Sequence, residues 1–435
     1  EKVAVEVLGS YGEDGNIDYD LLNKNLQNIE GLTSGLPIDK LPATVVVDGY
    51  NVTINEDGSV TAGDSNPGEG ETGKTDGSYD TEEGVNTPKL KDNMKLVVYN
   101  NGNWEEDTTK SAYKYEAQAG TTENGGTSEW ANAELEGNYY VWIPRYAYKI
   151  DKNTSYTTQG EGISYKIDVK FLIGTTNQYY GDDGELKDAE IATNADEIIN
   201  STDTYYVHPA FTFGTQNLEG LWIGKYESSD AGNNKVSIVP NVTSLTNINV
   251  STMFERAQSL SKTNIDAHML KNTEWGAVAY LTQSQYGRNG TEISVNNNRK
   301  TFYTGGGAEK AYIDNVLQSS TGNVYGIYDL SGNAWEYIAS YYNESDAKYI
   351  SFGSIFASIG GISDAYSTTY NSSGEKSTSA NYKYRDATYE TNGWHEARAD
   401  FVNSEYPFFT RGGMYANSSS DIFYFYSGGR LCHQL

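Results

Sequence analysis

Histidines, cysteines and closely spaced carboxylates are the side chains that hold metals or attack substrates, and in this chain they are few and scattered. The four histidines, His208, His268, His395 and His433, include no pair at i, i+3 or i+4, so local metal-ligand spacing is missing. The single cysteine, Cys432, excludes a disulfide within the chain and a thiolate metal cage. Its neighbour His433 would point to the opposite face of a strand, and no G-x-S-x-G nucleophile elbow occurs. Asp14, Asn16, Asp18 and Asp20 alternate oxygen ligands somewhat as a calcium loop does. The glycine and the distal glutamate of an EF-hand are out of place, which leaves turn and capping roles. Residues 68–75 (GEGETGKT) match the phosphate-loop pattern G-x-x-x-x-G-K-T. That chemistry needs a buried strand before the loop and a helix after it, whereas Asp64 and Pro67 precede it and Asp76, Asp80, Glu82 and Glu83 follow. The run reads as linker, and no nucleotide is expected.

Composition narrows the classes further. The 435 residues carry 31 Lys plus Arg against 59 Asp plus Glu, a formal charge of −28 that repels phosphate backbones and anionic membranes, so nucleic acid is not expected as a partner. The 37 tyrosines and 45 glycines suit a sheet-rich α+β protein better than a helical bundle. No apolar stretch approaches the roughly 18 residues that would cross a bilayer.

The elements that must position any site follow from periodicity. Residues 1–62 read as a small α+β domain: Leu21, Leu22, Leu26 and Ile29 share a helical face behind an Asp18 cap, Gly31 stops the helix, and residues 43–47 and 50–54 alternate as strands around Asp48-Gly49. Residues 63–84, with seven acidic residues and one Lys, read as a flexible acidic linker. From 85 to 435 short strand-like runs dominate, at residues 96–99, 139–143, 221–226 and 324–328, with helical windows near 251–261 and 271–283. No fixed-period repeat is present.

Five boxes then occur in order: Tyr140-Val-Trp-Ile-Pro, Trp222-Ile-Gly-Lys-Tyr-Glu, His268-Met-Leu-Lys-Asn-Thr-Glu-Trp, Asn323-Val-Tyr-Gly-Ile-Tyr-Asp-Leu-Ser-Gly-Asn-Ala-Trp-Glu, and Thr410-Arg-Gly-Gly. Together they resemble the formylglycine-generating-enzyme (sulfatase-modifying-factor) family, a variant of the C-type lectin fold. The resemblance implies a C-type lectin-like domain over residues 85–435. The family's catalytic cysteine pair falls on Asn417 and Ile422, which supply no thiolate, so copper binding and thiol oxidation are not expected. The histidine cluster of the related iron-dependent sulfoxide synthases is also missing, and no enzymatic activity is expected. The family's calcium site would fall on Asp329, the carbonyls of Leu330, Gly332 and Ala334, and Glu336, a hard-oxygen set that suits calcium. The alternative is that Asp329 and Glu336 only satisfy backbone N–H groups of a turn.

The opening Lys2-Val-Ala-Val-Glu-Val-Leu-Gly, the Asp-Leu-Leu helix and the Asp-Gly hairpins are similar to the segment after the hydrophobic helix of pilin-like surface proteins of Gram-positive gut bacteria. That implies cell-surface display, with membrane contact only through an anchoring helix preceding Glu1. The tail, residues 414–435, resembles the variable region of proteins diversified by retroelements. From Tyr415 through His433 it contains no Met, Gln, Lys, Trp or Glu, the residues that adenine-directed mutagenesis of AAY codons cannot produce. Phe423 and Phe425 are expected to point into the core and Tyr424 and Tyr426 outward. With Tyr415, Asn417, Asp421, Arg430 and His433, these tyrosines would form a patch of rigid rings and adaptable polar groups that binds a protein or glycan. The alternatives are a satisfied surface strand, or an assembly contact of a structural pilus or phage-tail subunit.

Overall fold

The computed structural model describes residues 2–12, 16–29, 32–34, 36–47, 50–65, 75–120, 122–157, 162–193, 197–198, 201, 203–262, 264–298, 302–343, 365–371, 385–415, 419–427 and 432–433. They fall into two units, Glu1–Glu71 and Thr72–Leu435, and each has its own core.

In the smaller unit, helices α1 (Lys2–Leu8) and α2 (Tyr19–Leu26) accompany an antiparallel sheet of β1 (Leu32–Ser34), β2 (Ala43–Val47), β3 (Tyr50–Ile54) and β4 (Val60–Ser65), in that order. Asp18 caps α2 as expected, accepting a 3.0 Å hydrogen bond from the amide of Leu21. Val3, Val7, Leu22, Leu26, Val45 and Ile54 are the centre of the core. Leu21 is only half-buried, so the apolar stripe is narrower than the sequence pattern suggests. Gly31, Asp48 and Gly49 lie outside the described residues.

The expected linker is shorter than residues 63–84. Strand β4 runs to Ser65, and β5 (Tyr79–Asp80) forms a hairpin with β6 (Val85–Asn86) inside the larger unit. There the acidic residues fold the chain: Asp76 accepts from the amide of Ser78 at 2.9 Å and Asp80 from that of Glu82 at 2.8 Å. Leu90 donates its amide to the Thr75 carbonyl at 3.0 Å, and the rest of the GEGETGKT run lies outside the described residues.

The larger unit is built on a five-stranded antiparallel sheet in the order β18-β10-β9-β7-β8, made of β7 (Lys95–Asn100), β8 (Asn103–Glu106), β9 (Asn132–Leu135), β10 (Asn138–Pro144) and β18 (Gly220–Gly224). A three-stranded sheet β12-β11-β15 joins β11 (Tyr146–Thr157), β12 (Ile163–Phe171) and β15 (Tyr206–Val207). Two-stranded ribbons pair β13 (Gln178–Tyr180) with β14 (Leu186–Asp188), β16 (Thr212–Phe213) with β17 (Gln216–Asn217), and β19 (Ser229–Gly232) with β20 (Lys235–Ser237). The last sheet centres on β21 (Trp335–Tyr342), flanked by β22 (Thr368–Tyr370) and β23 (Phe408–Arg411); β24 (Phe425–Tyr426) pairs β23, and β25 (Cys432–His433) pairs β21.

Both helical windows form: α3 is Val250–Ala257, capped by Asn249, and α4 is Asn272–Gln283, which is buried throughout. The result is a sheet-rich α+β fold with many short strands and few helices. Residues 324–328 depart from the expected strand. The buried Lys225 ammonium takes the carbonyls of Val324 and Gly326 at 2.6 and 2.8 Å, so those groups are lost to a ladder, and the backbone runs irregularly.

Candidate functional site

The tail is held by Arg411 of the Thr410-Arg-Gly-Gly box. Fully buried, its guanidinium donates to Asn272 Oδ1 at 2.8 and 3.0 Å, the Ala387 carbonyl at 2.8 Å and the Asp386 carbonyl at 2.5 Å, tying β23 to α4 and to the 385–388 loop. Gly413 has φ +77°, and a Cβ there would lie 2.2 Å from Ser420 Oγ, so only glycine lets the tail fold back over this point. The next residues turn rather than extend. Asp421 accepts from the amide of Phe423 at 2.8 Å, and the Tyr424 amide donates to the Asp421 carbonyl at 2.9 Å. Strand pairing resumes only at Phe425 and Tyr426, opposite Arg411 and Thr410.

This turn overturns part of the expected patch. Phe423 and Phe425 are buried, but so are Tyr424 (0% exposed) and Asp421 (1%), because period-two alternation does not hold through a turn. The Tyr424 hydroxyl accepts a 3.1 Å hydrogen bond from the Trp335 indole, an internal contact. Burial pushes the Asp421 carboxyl up to about 7, and its Oδ2 meets no donor among the described residues. Ile422, a position that matches a family cysteine, is buried, with its carbonyl accepting from the Trp275 indole at 2.7 Å. Asn417 and Arg430 lie outside the described residues. His433 sits in β25, where its backbone pairs with Glu336.

Two expected residues do stay half-exposed, Tyr415 and Tyr426. Tyr426 lies beneath the Arg398 guanidinium, 4.0 Å from its ring centre, and beside the half-exposed Trp335 at 6.2 Å; Arg398 is itself clamped by Asp400 at 2.5 Å. Tyr415 meets Phe302 edge-on at 5.2 Å, and its amide bonds the Asn333 carbonyl at 3.0 Å. Partly exposed rings on a fixed backbone suit recognition by stacking and shape. Phe302 and Arg398 lie in none of the five boxes and Trp335 only stands near the end of one of them, so the sequence did not mark these three as site residues and only the fold assembles them.

The expected calcium residues divide. Asp329, Gly332 and Asn333 all have left-handed backbone, at φ +64°, +89° and +54°, so the loop curls tightly. Asp329 is saturated by neighbours: both carboxylate oxygens accept from the Gly305 amide at 2.9 Å, with Asn296 at 2.9 Å and the Glu227 amide at 3.3 Å. Glu336 is different. It is 1% exposed and neither carboxylate oxygen has a donor among the described residues, while the buried carboxylates of Glu227 and Asp329 add to the burial that pushes its pKa up. Glu227 accepts from Asn333 at 2.7 Å and from the Ala334 amide at 3.3 Å. Among the described residues no three His, Cys, Asp or Glu side chains form a metal-holding group. A ligand set that relies on the carbonyls of Leu330, Gly332 and Ala334 does not require one, and the orphaned Glu336 oxygens fit a hard cation.

The histidines occupy separate environments. His208 is buried against Tyr146, Tyr148, Tyr280 and Phe211, and His395 stacks on Phe423 at 5.8 Å; burial lowers both, His395 to about 4. His268 lies between Asp266 at 2.7 Å and Glu274 at 3.1 Å. Burial alone would lower it, but Glu274 and Asp266 outweigh that and raise it to about 9. Burial likewise works against the Glu274 carboxylate, which Lys271 and His268 nevertheless hold at about 2. Phe213 stacks on the His268 ring at 5.2 Å and Tyr366 donates to Asp266 at 2.6 Å. No family model matches this chain, and a search of curated proteins finds no match.

Proposed function

We propose that this chain is a surface-displayed, non-catalytic ligand-binding protein, with a larger unit of the C-type lectin-like, formylglycine-generating-enzyme type and a C-terminal region diversified by a retroelement. The observation that carries the binding reading is the pair of half-exposed aromatic stations, Tyr426 with Trp335 and Arg398, and Tyr415 with Phe302, held on paired strands and turns. Their ligand is a protein or glycan surface, met by ring stacking and by the Arg398–Asp400 pair. Against catalysis of the family's kind stands the chemistry of the two cysteine positions, an amide at Asn417 and a buried alkyl chain at Ile422. Glu336 and the carbonyls of Leu330, Gly332 and Ala334 would hold a calcium ion, which supplies charge balance and loop order. Asp329 would act beside them as a structural group.

The test is genetic and biochemical. Sequencing the gene and its surroundings across related isolates is expected to find changes concentrated in codons 414–435, beside a reverse transcriptase and a near-copy of that stretch. An invariant tail with no such copy defeats the diversification reading. On an array of cell-surface glycans and proteins, Tyr415→Ala with Tyr426→Ala is expected to abolish any specific signal while the protein still melts cooperatively, at a modestly lower temperature because Tyr426 packs on the core. Retained binding in that double variant defeats the patch.

A further inference from the structure

Strand β18 forms an outer edge of the five-stranded sheet, paired with β10 on one side and, among the described residues, with no strand on the other. Hydrogen-bond alternation fixes which of its groups are free. The Lys225 amide donates to the Tyr139 carbonyl at 3.0 Å and the Arg145 amide to the Glu219 carbonyl at 2.8 Å, so the odd-numbered residues of this strand face β10. In agreement, the Trp142 amide turns away from its partner Trp222 and donates to the Ala131 carbonyl at 2.9 Å. The amides and carbonyls of Gly220, Trp222 and Gly224 therefore point outward, at the two-residue repeat of an unpaired ladder.

That edge opens into a cleft. All five residues of β18 line a space of about 860 Å³, together with apolar side chains such as Leu135, Ile238, Leu260 and Ile265. Natural sheets blunt their edges with proline, bulges or charged side chains. The β18 sequence Gly-Leu-Trp-Ile-Gly has none of these, and its register against β10 is unbroken. The two indole N–H groups at this face are already engaged, Trp222 with the Lys89 carbonyl at 2.9 Å and Trp142 with the Asn86 carbonyl at 3.0 Å. What the cleft offers is a row of main-chain groups above a lining in which those apolar side chains are mixed with charged ones, among them Lys89, Lys262, Asp266 and His268.

We propose that this edge receives an extended peptide of a partner protein as an added strand. Its backbone pairs with Gly220, Trp222 and Gly224, and its alternate apolar side chains enter the cleft. A polypeptide is the ligand whose donors and acceptors repeat at the spacing of these three residues. A second copy of this chain is disfavoured as occupant, because each copy carries a formal charge of −28.

The probe is a synthetic peptide of alternating threonine and valine between terminal glutamates, added to the full chain at physiological salt. Saturable binding is expected, with hydrogen exchange at the amides of Gly220, Trp222 and Gly224 slowed by about tenfold or more. Of two versions N-methylated on all valines or on all threonines, at least one should lose about tenfold in affinity, since methylation removes the donors along one peptide edge. Gln258→Trp, at an exposed position lining the cleft, should weaken binding while leaving exchange elsewhere unchanged. The proposal falls if millimolar peptide does not bind, if binding leaves those three amides unprotected, or if both methylated peptides bind undiminished. It also falls if protein concentration alone protects the same amides, since the occupant is then a second copy.

Discussion

Glu336 and His268 are opposite answers to the burial of charge. Glu336 has two buried oxygens without a donor among the described residues, beside two other buried carboxylates, so the metal-free protein gains nothing from its charge. Calcium is therefore expected to raise the melting temperature of the wild type, and Glu336→Gln to abolish that rise. In chelator the same substitution should stabilise by roughly 1–3 kcal/mol, since a neutral amide avoids the cost of burying or neutralising a carboxylate beside two others. Thermal melts with calcium and with chelator check both arms; a calcium shift that survives in the variant assigns the ion elsewhere. His268 is matched on both sides by carboxylates and raised to about 9, above its ordinary 6.5. A raised histidine stabilises fully below about 6.5 and loses that contribution as pH climbs to about 9. His268→Gln is thus expected to cost on the order of 1–2 kcal/mol at pH 6, with the gap to wild type closing by pH 9 to 10. Denaturant melts across that range test the sign, and a gap that widens with pH would contradict it.

Between elements, Arg411 joins β23, α4 and the 385–388 loop through acceptors that no other Lys or Arg among the described residues bonds. Arg411→Met leaves those acceptors buried and unpaired, and a loss of about 3–5 kcal/mol is expected, with the amides of residues 386–388 exchanging fastest. Retention of wild-type stability would mean water replaces the guanidinium. Elements with strong local signals were legible in the sequence: α2 behind Asp18, α3, α4, and the β2–β3 pair. What was not legible depended on distant groups. Residues 324–328 look like a strand until Lys225, about a hundred positions earlier, takes their carbonyls. Tyr424 and Tyr426 look equivalent until the Asp421 turn sends one ring inward. Asp76 and Asp80 look like linker charge until they are seen holding turns. Of the candidate site, Tyr415 and Tyr426 could be read from the chain, whereas Trp335, Phe302 and Arg398 needed the fold to bring them alongside.

At the level of the whole molecule, the two units have separate cores joined through a segment rich in acid and glycine. Cleavage by a glutamate-specific protease at Glu69 or Glu71 is expected to leave both fragments with native-like melting. Loss of cooperative melting in either fragment would show that its core is incomplete without the other unit. The larger core has a further property that concerns time. Ile422, Phe423, Tyr424 and Phe425 belong to the same cluster as Trp130, Trp142 and Trp275, so strands translated earlier wait for side chains translated much later. At about 5–20 residues per second, the stretch from Thr72 to Phe425 takes roughly 20–70 s to emerge, while the smaller unit has its whole core before Thr72 is made. A nascent chain thus carries one finished domain ahead of a long unfinished one. Any receptor surface on that domain comes into being only after residues 422–425 have emerged.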